Sequence, residues 1–124
     1  MTWWQWVLVG VAGAVGAPLR YVVDTLVGDR LGSTFPMGTL VVNVSGSFVL
    51  GLISGLVLFD GLGSGPNVVV GSGLVGAYTT FSTWTFETMA LVEAGELGLA
   101  VRNIGVSAVV GAAAAAAGLA LAGV

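Results

Sequence analysis

With 124 residues, 56% of them hydrophobic and 7% charged, and a mean hydropathy of +1.05, the chain cannot turn a water-facing surface in every direction, because soluble domains carry roughly a quarter charged residues. Three Arg against six acids give a net charge of −3, which leaves no basic patch for nucleic acid. The absence of Cys and His excludes disulfides and thiolate metal sites and removes the commonest transition-metal ligand and the easiest general base.

A spanning helix needs about 20 apolar residues, so the length predicts an all-α membrane protein of one domain, with four short-linked spans. The first is predicted over about 3–23. No Lys or Arg precedes it, which argues against a cleaved signal peptide. Trp3, Trp4 and Trp6 suit an interfacial aromatic belt. Gly10, Gly13 and Gly16 recur every three residues and would let a neighbouring helix approach closely. Pro18 removes a backbone bond near the far end. Arg20 has two readings, a snorkelling interfacial side chain or a vestibule charge.

A polar link is predicted from Asp24 to Phe35, and Pro36 stands where a second helix, about 37–59, could begin. Thr39, Asn43 and Ser47 share one face of it by their i, i+4, i+8 spacing. Asn43 is the least expected residue there. It could make an interhelical hydrogen bond or donate to an anion path. Asp60 to Asn67 reads as a tight turn by its Gly and Pro content.

The third segment, about 68–92, holds the stretch from Gly76 to Glu87 (GAYTTFSTWTFE). Polar groups at membrane depth are costly and tend to face a neighbour or a water-filled path. Gly76 and the β-branched pair Thr79–Thr80 also weaken a helix. We therefore expect a helix break here that exposes backbone carbonyls, as is tolerated where a broken helix lines a cavity. The fourth segment, about 99–124, carries Arg102, Asn103 and Ser107, then a Gly/Ala run from Gly111 to Gly118 that favours close packing. Four short spans leave little room for a private aqueous lumen, so a pore would need a second subunit.

These stretches together resemble the Fluc family of small fluoride channels over nearly the whole chain. The resemblance is carried by Gly13–Tyr21, Gly38–Phe48, Gly76–Thr83 and Arg102-Asn103 with Ser107. It implies an antiparallel, dual-topology dimer of four-helix subunits with a broken third helix and two pores, exporting toxic fluoride passively across the plasma membrane. It further implies a structural Na+ at the dimer interface, held by the backbone carbonyls of Gly76 and Thr79. Asn43 matches a second-helix Asn pointing into the pore. Phe81 matches the first position of an aromatic box whose ring edges face the anion, beside a polar track matched by Ser82 and Thr83. Ser107 matches a fourth-helix hydroxyl, and Arg20 an Arg near the pore entrance. Two departures stand out. Trp84 occupies the second box position, usually Phe, and would add an N–H donor; Gly111 replaces a second fourth-helix hydroxyl.

The partners implied are fluoride, membrane lipid, and either a second copy or an oppositely oriented relative. Arg20, Arg30 and Arg102 all fall by the first and third links, with none on the other face, which would place both termini outside and favour pairing with an oppositely biased relative. A small four-helix proton-coupled transporter is the alternative, but the first segment has no titratable residue before Arg20. An enzyme is the least expected class, since no His, Cys or carboxylate pair marks a site.

Overall fold

The computed structural model describes residues 1–32 and 34–124; Ser33 of the predicted first link lies outside the described residues. Helix α1 spans Trp3–Leu31 and α2 spans Met37–Phe59. The third segment is composite. A short α3, Ser64–Pro66, runs into a π-helical stretch, Asn67–Val75, and then α4, Gly76–Tyr78. The chain leaves helix over residues 79–81 and resumes as α5, Ser82–Glu93. Helix α6, Leu97–Ala122, closes the fold. No strand occurs among the described residues.

Helix α1 continues past the Val23 boundary read from the sequence and takes in Asp24, Asp29 and Arg30. Nothing between Val23 and Gly32 breaks a helix. Arg30 lies in the last turn, where a cation meets the negative end of the helix dipole. Termination waits for Gly32, whose φ of 84° suits glycine and whose N–H bonds the Gly28 carbonyl. The third segment likewise starts earlier than the sequence suggested, because Pro66 sits in a first helical turn, where its missing N–H costs nothing.

Helices α1, α2 and α6 are each long and apolar enough to cross a membrane, and the broken third segment supplies a fourth, bent crossing. The chain is an all-α, multi-pass membrane protein. Its packing fits that solvent. Among the described residues the buried side chains are small or polar, namely Val42, Val75, Ala100, Ala122, Thr39, Thr88 and Asn103, while Trp3, Trp6, Leu58 and Val109 point outward. Lipid solvates such apolar groups as well as protein does, so close van der Waals contact between small residues drives association instead.

The most extensive contact is between α2 and α6. A Cβ at Gly51 would overlap the Ala115 carbonyl, and one at Gly118 would overlap the Phe48 carbonyl. The low-complexity Gly/Ala run is thus the surface that seats α2. On α1 the glycine stripe is less uniform than its spacing suggested. Gly16 abuts the backbone of Leu74, Gly13 makes only ordinary contact, and Gly10 faces open space.

Candidate functional site

The break is built by hydrogen bonds that divert the helix ladder. Thr79 turns extended, with φ −78° and ψ 161°. Its hydroxyl donates back to the Val75 carbonyl at 2.9 Å, a local bond that competes with helix continuation. The next N–H, of Thr80, would meet the Gly76 carbonyl in an unbroken helix; it donates instead to Asn43 Oδ1 at 2.8 Å. Asn43 Nδ2 returns a hydrogen bond to the Thr80 carbonyl at 2.8 Å. The Thr83 N–H, which would meet the Thr79 carbonyl, donates to Thr80 Oγ1 at 3.1 Å and starts α5 in the manner of a side-chain cap. The carbonyls of Gly76 and Thr79 thus lose their usual helical donors, as do those of Ala77 and Tyr78, which receive no bond from the Phe81 and Ser82 N–H groups. The Arg20 guanidinium approaches the Thr79 carbonyl at 3.5 Å.

A cavity of about 320 Å3 lies against the break, lined among others by Asn43, Ser47, Thr80, Phe81, Trp84 and Ser107. It holds no charged side chain. The Phe81 and Trp84 rings meet at 5.5 Å between centroids with a 57° tilt, within the range of favourable aromatic pairs. Phe81 is 73% exposed. A second cavity, about 230 Å3, is lined by Arg20, Tyr21, Asp24, Thr39, Thr80 and Thr83 among others. Thr80 lines both, so the Asn43–Thr80 pair stands between them.

The residues singled out in the sequence are thus divided. Asn43, Phe81, Trp84 and Ser107 share the larger cavity; Arg20 and Thr83 share the smaller. Ser82 is exposed and lines neither, though its hydroxyl lies 3.4 Å from that of Thr80. The stripe Thr39, Asn43, Ser47 does lie along the two cavities. The interhelical bonding considered for Asn43 is realised with backbone rather than side-chain partners, and one Nδ2 hydrogen remains after both bonds are made. The Trp84 N–H, expected as an added donor in the pore, goes instead to the Asn103 carbonyl at 3.3 Å.

Two further pairs were not legible from spacing. Thr39 Oγ1 donates to Glu87 Oε1 at 2.5 Å, tying the carboxylate of α5 to α2. Asn103, only 1% exposed, donates to Thr88 Oγ1 at 2.8 Å. The one signal for either was a polar side chain at membrane depth without an assigned partner. Among the described residues no cluster of three or more His, Cys, Asp or Glu side chains is placed to hold a metal.

Comparison with known proteins agrees with the resemblance. The family model described as CrcB-like protein, Camphor Resistance (CrcB), matches residues 7–119. The chain is 49% identical to the fluoride-specific ion channel FluC 2 of Mycolicibacterium paratuberculosis, covering 89% of this chain and 87% of that one. It is 45% identical to FluC 1 of Symbiobacterium thermophilum, covering 94% and 96%, and 42% identical to FluC 1 of Streptomyces avermitilis, covering 93% of each. With a family model spanning almost all of its membrane segments and relatives this similar end to end, the chain belongs to the CrcB-like, or Fluc, family.

Proposed function

We propose that the protein is a passive fluoride channel of the cell membrane. The observation that carries this reading is the cavity at the helix break. Amide, hydroxyl and aromatic side chains converge there and no carboxylate lines it. A small hard anion that sheds water needs such donors, each weak enough to release it. Proteins 42–49% identical to this chain are named fluoride-specific channels. The alternative, a proton-coupled transporter, finds no support in α1, where no titratable side chain precedes Arg20. The reading assigns no catalytic residue.

The same reading needs a second subunit. Phe81, Ser82, Thr85 and Phe86 are all exposed on one side of α5 and the break. Exposed hydroxyls at membrane depth are better satisfied by protein than by lipid. An antiparallel copy, or an oppositely oriented relative, would cover this face and complete two pores. The Gly76 and Thr79 carbonyls, relieved of their helical donors, would then supply two oxygens per chain to an interfacial Na+. Carbonyl oxygens are hard, uncharged ligands that suit an alkali ion.

The test is fluoride efflux from liposomes containing this chain alone, read with a fluoride electrode, with chloride as control. Fast fluoride loss without chloride loss is expected. Equal loss of both anions would overturn the selective-channel reading.

A further inference from the structure

Asn103 is one of the two largest side chains that are fully buried in an otherwise open chain, the other being Val42. A buried amide at membrane depth is costly unless every group is partnered. Its partners form a closed circuit. The Trp84 indole N–H donates to the Asn103 backbone carbonyl at 3.3 Å. Asn103 Nδ2 donates to Thr88 Oγ1 at 2.8 Å. The Thr88 hydroxyl donates to the Trp84 carbonyl at 2.8 Å. Thr88 has one hydroxyl proton and spends it on Trp84, so it can only accept from Asn103. That fixes the amide orientation and leaves Asn103 Oδ1 toward Ser107, whose hydroxyl lies 3.5 Å away.

We propose that Asn103 is a positioning residue of the conduction path, holding the Trp84 indole so that its C–H edge faces the cavity and its N–H does not. This rests on the channel reading above. The consequence is chemical. A free indole N–H is a far stronger anion donor than a ring edge, and one strong donor in a path traps the ion it should release. Locked to a backbone carbonyl, Trp84 offers what a phenyl ring would offer. The bond from Ser107 to Asn103 Oδ1, at the long limit of a hydrogen bond, is weak enough for that hydroxyl to turn to a passing anion and return.

The test combines flux with a spectroscopic signature. The chain has four Trp, so 15N-Trp labelling in nanodiscs gives a sparse indole spectrum, and the Trp84 signal is the one missing from Trp84→Phe. Thr88→Val, which keeps shape and deletes the hydroxyl, is expected to displace the Trp84 signal alone and to lower fluoride efflux about tenfold, the scale of one buried hydrogen bond lost. Thr88→Ser restores both. Asn103→Leu, the second variant, acts as Thr88→Val does. In a Trp84→Phe background Thr88→Val has no indole left to release, so its cost to efflux should be smaller than in the native background. An unmoved Trp84 signal in Thr88→Val and Asn103→Leu overturns the proposal, as does equal flux loss in Thr88→Val and Thr88→Ser. Absence of fluoride efflux from the unmodified chain, both alone and with an oppositely oriented relative present, would sink the channel reading separately, and the Trp84 signal would still decide whether the circuit exists.

Discussion

Asn43 and Thr80 exchange two hydrogen bonds across the helix break, each 2.8 Å long. The side-chain amide behaves as a surrogate peptide unit. It accepts the N–H and donates to the carbonyl that an unbroken third helix would have used in its own ladder. The break therefore leaves the Thr80 backbone groups satisfied at a depth where orphaned groups cost several kcal/mol.

Asn43→Asp keeps the acceptor for the Thr80 N–H but loses the donor to its carbonyl. It also sets a carboxylate against a carbonyl oxygen and places negative charge beside the cavity. Fluoride efflux from liposomes is expected to fall by more than about tenfold, since one unsatisfied buried group costs about 1–3 kcal/mol and like charge repels the permeant ion. Unchanged efflux would remove Asn43 from the path.

The close contact of α2 on α6 gives a second expectation. Gly118→Val pushes two methyl groups toward the Phe48 carbonyl and the Leu52 amide, backbone atoms that cannot swing aside. Overpacking of this kind costs about 1–3 kcal/mol. Gly10→Ala, facing open space, should be neutral, or stabilising by up to about 1 kcal/mol through helix propensity. Denaturation in detergent by SDS titration would separate the two; equal midpoints would mean that the Gly118 contact does not hold the helices together.

Much of this architecture could be read from the residues. Helix α2 was bounded by Pro36 and the Asp60 turn, and the hydroxyl-rich stretch after Gly76 announced the break. Other features could not be read. The helix through Asp24–Arg30 was hidden because charged residues near a membrane end suit a helix C-terminus as well as a loop. The π-helical stretch over Asn67–Val75 leaves no mark in apolar periodicity. The Trp84 N–H looked like a free donor because its acceptor is a backbone carbonyl, and side-chain identity says nothing of where a carbonyl will lie.

The diverted carbonyls lead to an expectation for sodium. If Gly76 and Thr79 oxygens hold Na+ between subunits, the ion stabilises the assembly by mass action, about 2.7 kcal/mol at one hundred times its dissociation constant. Replacing Na+ with N-methyl-D-glucamine throughout purification should lower thermal stability and fluoride efflux together, and added Na+ should restore both. A melting temperature indifferent to Na+ would leave these carbonyls without a resident ion.

The last expectation concerns direction. Arg30 lies in the final turn of α1 and Arg102 lies near the start of α6, so both stand toward the side of the first and third links. Arg20 lies further into α1, with its guanidinium at the Thr79 carbonyl. No Lys or Arg lies by the second link or at either terminus. Cationic loops stay in the cytoplasm, and acidic residues count little in that bias, so Glu93 and Glu96 beside the third link do not cancel it. Both termini should then face outward in most copies. The chain lacks Cys, so one introduced at Thr2 can be probed in whole cells with a membrane-impermeant maleimide. Labelling of nearly all copies from outside is expected in cells, where insertion sets orientation, whereas reconstitution from detergent lets copies of the chain pair antiparallel; labelling of half would show dual topology in the cell as well. Leu62→Lys with Ser64→Lys adds charge to the second link, where both positions are exposed, and should move the wild-type proportion toward an even split. A population that ignores those charges would mean that orientation is set by packing against a partner rather than by the loops.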